Sequence, residues 1–249
     1  VDRQAAGSTP NGTVTADGDA LPDDADQAFS DIVVERIGQE CYDALSATLR
    51  DDPDAYGLQT AVLVTGARLV DTLDELASIG LAALGPLSSD TAEARLVAFA
   101  QRFVDRVAGA GSSPANAAVR RTAVLCAKEI LKDPHIRSSV EGGDSTSGTR
   151  MSSELLCWIY RLFFANVISQ FIQATITAKI NLLLPWWHIV DPAGKVSEWL
   201  TNKIVGILPN PCDEKPQDDG GSVADLARSL LVETVQRTLG LSTGAPGAA

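Results

Sequence analysis

Apolar residues recur at helical spacing in seven stretches of this chain, and none shows the strict alternation of a half-buried strand. In the first, Phe29, Ile32, Val33, Ile37, Cys41 and Leu45 share a face, and the run closes in the turn Asp51-Asp52-Pro53-Asp54. The second spans 58–84, with Val62, Leu69, Val70, Leu73 and Leu76 on one side and Arg68, Asp71, Asp74 and Glu75 on the other, stopped by Gly85-Pro86. Asp90 with Glu93 reads as the cap of a third, carried by Leu96, Phe99, Phe103 and Val107. Ser113-Pro114 opens a fourth, through Ala117, Val124, Ala127 and Leu131, which Asp133-Pro134 is expected to end. Four helices with short joins predict an antiparallel bundle over 27–134.

The segment 135–151 is rich in Gly and Ser and poor in apolar residues, the composition of a flexible linker. A long apolar helix follows. Asp191-Pro192 then opens a helix through Val196, Trp199, Leu200, Ile204 and Ile207, ended by Pro209 and Pro211, and Ser222 with Asp225 caps a last one through Val235. The expectation is an all-α protein: an N-terminal bundle and, over 152–239, a three-helix group built around the apolar helix. The stretches 1–26 and 240–249, rich in Gly, Ala, Asp, Thr and Pro, hold too little apolar surface to offset the entropy of ordering and are expected to be disordered tails.

The stretch 155–187, LLCWIYRLFFANVISQFIQATITAKINLLLPWW, carries charge only at Arg161 and Lys179. The 17 residues between them lie at the lower limit for crossing a bilayer. Trp158 and Tyr160 at one end and Trp186 and Trp187 at the other would stand roughly 40 Å apart on a helix, as interfacial belts do. The middle argues otherwise, because Asn166, Ser169, Gln170, Gln173, Thr175 and Thr177 place amides and hydroxyls where hydrocarbon would be. At ~100° per residue Asn166, Gln170, Gln173 and Thr177 form one polar stripe, with Arg161 and Lys179 on a different face. The β-branched density of 172–180 suits a strand, but the length of the run favours a helix. A soluble bundle whose stripe meets a partner is the reading adopted; the alternative is a membrane-associated or membrane-inserting protein using 155–187 against lipid.

Composition narrows the functional classes. With 249 residues, 45% of them hydrophobic, the chain can bury a substantial core. A net charge of −12 argues against nucleic acid, whose backbone needs a Lys/Arg surface. The first residues lack the basic start and apolar run of a signal peptide, and the sequon Asn11-Gly12-Thr13 is uninformative by itself. Cys41, Cys126, Cys157 and Cys212 show no metal or redox spacing; the first three sit in apolar patterns and are expected to be free thiols, Cys212 to be exposed, and the compartment cytoplasmic.

Candidate chemistry is sparse. His135 and His188 are the two histidines, and His188 with Asp191 and Glu198 lacks any helical ligand spacing. Asp51, Asp52 and Asp54 are oxygen ligands of the kind Mg²⁺ takes, but Pro53 breaks the cluster into a turn. No nucleophile elbow or phosphate-binding glycine loop occurs, and the pairs Gly142-Gly143 and Gly220-Gly221 read as loop punctuation. No cofactor or metal is expected. The expectation is therefore a non-enzymatic interaction or scaffold protein that binds a protein partner or a second copy through Trp158, Arg161, Asn166, Gln170, Gln173, Thr177, Lys179, Trp186 and Trp187, with Trp199 a further aromatic anchor or core residue.

Overall fold

The computed structural model describes the backbone of residues 23–87, 89–143, 149–183, 192–213 and 221–241, and the side chains within these outside 23–30, 175–183 and 192–193. Among the described residues the chain is all-α: α1 (Asp23–Asp51), α2 (Leu58–Ser78), α3 (Ala92–Ala108), α4 (Pro114–Ile130), α5 (Pro134–Gly142), α6 (Ser153–Leu183), α7 (Pro192–Ile207) and α8 (Val223–Thr238), with 3₁₀ turns at Ala55–Gly57 and Gly80–Leu84. Most of both stretches expected to be tails lies outside the described residues. Residues 23–26 open α1, and Leu241 donates its N–H to Gln236 O at 2.8 Å.

Helix boundaries follow local chemistry. Ser113 accepts from Asn116 N with Pro114 at the first helical position, and Ser222 and Asp225 form a reciprocal capping box. The third helix is capped by Thr91, which accepts from Ala94 N, one residue beyond the expected Asp90. The second ends early: α2 stops at Ser78, Gly80 turns to φ 71°, and Gly80–Leu84 continues as a 3₁₀ turn. The acidic turn is spent on backbone caps, Asp52 Oδ1 accepting from Asp54 N at 3.3 Å and Asp54 Oδ1 from Thr60 N at 3.2 Å.

Two expectations are corrected. The linker 135–151 begins as a helix, because Asp133 accepts from the N–H groups of His135 and Ile136 while Pro134 takes the first helical position. An Asp-Pro pair that ends one helix thus starts the next, and Ile136 and Val140 anchor α5 in the core. Past this helix, Met151 is buried and donates its N–H to Leu76 O at 3.1 Å. The thiols differ as well: Cys157 and Cys212 form a disulfide, with Cα atoms 6.0 Å apart, whereas Cys41 and Cys126 form none.

One buried cluster draws on both halves of the chain, from Leu49, Leu58, Leu73, Phe99 and Ile130 to Phe163, Leu200 and Val235. Helix α6 runs through it, packed by α2, α4, α7 and α8. Its window Ser153–Ala174 is long and apolar enough to cross a membrane, and 72% of it is buried inside the protein. Tyr160, Phe163 and Phe164 stack edge to face with ring centroids 4.9 and 5.3 Å apart, and Tyr160 Oη lies 2.7 Å from Thr234 Oγ1 of α8. Gly66 allows α2 to close on this layer, since a Cβ there would lie 2.7 Å from Phe164 Cζ. Helix α1 reaches α7 in the same way: Gly38 faces the ring of Trp199, whose other neighbour is Lys203 Nζ at 4.8 Å from the ring centroid.

Candidate functional site

Helices α6 and α7 form an antiparallel pair whose register is marked three times. Near the middle, Ser169 Oγ lies 2.8 Å from Ser197 Oγ and 2.9 Å from Thr201 Oγ1. Towards the base, Arg161 Nη2 donates to Val205 O at 2.6 Å. At the base itself, Cys157 is bonded to Cys212 just beyond α7. Val205 belongs to the last turn of α7, where carbonyls lack helical partners and a cation meets the negative end of the helix dipole. Arg161 therefore serves the end of α7, although its Nε is buried with no hydrogen-bond partner.

Beside this seam lies a cleft of about 330 Å³, walled by Leu162, Asn166, Gln170 and Gln173 of α6 and by Gly194, Ser197, Glu198, Thr201 and Asn202 of α7. Each wall follows from helical periodicity. On α6 the residues are spaced four, four and three apart, which keeps them on one side of the helix. On α7, Val196, Leu200 and Ile204 enter the core, so Ser197, Glu198, Thr201 and Asn202 are turned out beside them. Ser197 and Thr201 form the floor, where their hydroxyls are satisfied by Ser169 and, for Thr201, by Ser197 O at 2.9 Å. Asn166, 9% exposed, donates Nδ2 to Leu162 O at 2.8 Å and keeps its carbonyl oxygen for the cleft.

Four further side chains of the cleft keep their polar groups unpaired among the described residues. No side-chain hydrogen bond or ion pair among the described residues engages Gln170, Gln173, Asn202 or Glu198, and Glu198 and Asn202 are exposed. Among the described residues the walls contain one carboxylate and no Lys or Arg. The floor hydroxyls both bond to Ser169 Oγ, with no imidazole or second carboxylate among the described cleft residues to act as their base.

Of the residues singled out by sequence, Asn166, Gln170 and Gln173 meet in this cleft. Trp158 lies outside it, 42% exposed on α6, and its Nε1 donates to Glu129 of α4 at 3.3 Å. Thr177 and Lys179 belong to α6 beyond the described side chains, and Trp186, Trp187 and His188 lie outside the described residues. Trp199 packs between α1 and α7 instead of anchoring a surface. The α7 wall was not anticipated, although the polar positions at 197, 198, 201 and 202, set against apolar 196, 200 and 204, signal it.

A second cavity of about 290 Å³, also unanticipated, lies between α2 and the start of α4. It is lined by Asp54, Thr60, Arg68, Ser113 and Asn116 among others, so both signs of charge border it. Nearby, Tyr56 holds a left-handed backbone (φ 64°, ψ 7°), with its ring centroid 5.7 Å from that of Phe171. The buried thiol of Cys126 is pushed well above its ordinary pKa by burial and then by Glu129, which makes it a poor nucleophile. Comparison with family models, with curated proteins and with solved structures finds no match to this chain.

Proposed function

We infer that this protein is a non-enzymatic helical interaction module that docks a protein partner, or a second copy of itself, along the cleft between α6 and α7. The observation that carries the reading is the row Asn166, Gln170 and Gln173 facing Glu198 and Asn202 across an open cleft, where carboxamides and a carboxylate line one groove. A partner would supply the hydrogen bonds they lack. The bilayer alternative has less support, since the apolar window of α6 is occupied by packing against the other helices.

The Cys157–Cys212 disulfide favours an oxidising compartment over the cytoplasmic expectation, because cytosolic thiols are held reduced. The test is photo-cross-linking in cells that express the protein, with a benzophenone amino acid at position 202 in the cleft and at the exposed Val97 of α3 as control. A polypeptide adduct from position 202 alone, lost on Gln170→Leu with Gln173→Leu, supports the reading. No adduct, or equal adducts from both positions, overturns it.

A further inference from the structure

We propose that the α6/α7 cleft binds an extended polypeptide segment by its main chain, and seats a lysine or arginine side chain of that segment on Glu198. This deepens the reading of the cleft as a docking surface and rests on it.

The polar groups of the cleft are mostly carboxamides. A carboxamide offers an acceptor and donors side by side, so one Asn or Gln can pair with both the N–H and the C=O of a single residue of an extended chain, which face the same edge. A partner helix spends those groups on itself. An extended segment leaves them free on both edges, so a row of carboxamides is better matched to an extended chain than to a helix.

Their spacing also suits an extended chain. At ~1.5 Å of rise per residue, Gln170 stands about 6 Å along α6 from Asn166, and Gln173 about 4.5 Å further. In an extended chain the backbone groups facing one side recur every two residues, about 6.7 Å. The first interval matches within the freedom of a side-chain torsion, and the longer arm of a glutamine takes up the difference in the second. Asn166 is held by its bond to Leu162 O, so its remaining acceptor oxygen sets the register.

Charge selects the side chain. Among the described residues Glu198 is the sole ionisable group of the cleft walls and has no ion-pair partner. A carboxylate ringed by neutral amides repels anions, as does the net charge of −12. A basic side chain is attracted by both, and the amide oxygens complete its coordination.

The test is an array of acetylated, amidated heptapeptides carrying Lys, Arg, norleucine or Glu at the centre, probed with the purified full chain. Lys- and Arg-centred peptides are expected to bind at least about tenfold more tightly than Glu-centred ones. Glu198→Gln should remove the preference of Lys over norleucine. Gln170→Leu with Gln173→Leu should weaken every binder about tenfold or more, and N-methylation of alternate peptide amides should do the same. Thermal melts identify any variant whose loss is merely unfolding, and N-methylation needs no variant. Absence of binding, equal binding of Lys and Glu peptides, or indifference to N-methylation overturns the proposal. If the cross-link from position 202 persists while the array is silent, extended-chain recognition fails and the interaction reading stands.

Discussion

Ser169 of α6 and Ser197 of α7 meet hydroxyl to hydroxyl at 2.8 Å, both buried, in the middle of the interface that underlies the cleft. Thr201 joins them through Ser169 at 2.9 Å, so Ser169 Oγ is the hub of the cluster. Replacing it by valine leaves hydroxyls of Ser197 and Thr201 without their shared partner and adds bulk to a closed seam. A cost of about 1–3 kcal/mol is expected, lowering the melting temperature by roughly 2–4 °C per kcal/mol in a chain of this size. Ser169→Ala, which removes the hub without crowding, should cost about 1 kcal/mol. Thermal denaturation followed by circular dichroism orders the two; equal, negligible shifts would mean that the cluster does not tie α6 to α7.

The disulfide closes the base of the same hairpin across a separation of 55 residues. Loop-closure entropy for such a ring amounts to about 4 kcal/mol, an upper expectation since the reduced chain retains structure. Cys212→Ala should therefore lower stability by about 2–4 kcal/mol and hasten proteolysis of the segment after α7. With Cys41 and Cys126 outside the disulfide, alkylation of the unfolded chain should modify two cysteines without reductant and four with it. Four adducts without reductant would show the bond to be absent.

What the sequence disclosed and what it hid divide along the same line as local and tertiary information. The carboxamide row of α6 was legible because it depends on helical periodicity alone, as did the capping box at Ser222 and Asp225. Asp133-Pro134 was misjudged because that pair is both a stop and a start, and only the burial of Ile136 and Val140 shows that a helix follows. The Cys157–Cys212 bond was hidden because it depends on α7 returning antiparallel along α6, which residue spacing does not encode. Helical periodicity set Arg161 on a face apart from the carboxamide stripe, but only the return of α7 shows that its side chain meets a carbonyl of that helix's last turn.

Glycine-to-alanine replacements at two helical sites should have opposite signs. At Gly206 in α7 an added Cβ meets nothing within 4 Å, so alanine gains helix propensity alone, up to about 1 kcal/mol. At Gly66 the same methyl would lie 2.7 Å from Phe164 Cζ and 2.8 Å from Leu231 Cδ1. The Phe164 ring is fully buried and cannot swing away, and overpacking costs typically about 1–3 kcal/mol. That exceeds the propensity gain, so Gly66→Ala should destabilise and Gly66→Val more so. Urea denaturation of the variants measures both signs, and a stabilised Gly66→Ala would refute the close approach of α2 to α6 and α8.

Alkaline pH should weaken the fold through two buried phenols. Burial, followed by the charge of Asp43, pushes Tyr42 from an ordinary value of 10.0 up to about 12. Burial also pushes Tyr160 above its ordinary value, against a smaller opposing effect of its hydrogen bond to Thr234. Each phenol holds its proton more tightly when folded, so above pH 10 the unfolded chain releases protons that the folded chain retains. Stability contributed by these groups is fully present below pH 10 and is lost as pH rises towards the folded values, at and above about 12 for Tyr42. Melting temperatures measured from pH 8 to 11.5 should fall above pH 10. Tyr160→Phe removes one of the two groups and should flatten the fall, although the orphaned Thr234 hydroxyl costs about 1 kcal/mol at neutral pH. A variant with the wild-type slope would exclude Tyr160 as a source of the alkaline transition and leave Tyr42, held by the carbonyls of Arg237 and Thr238 at 3.1 Å, as the group to replace.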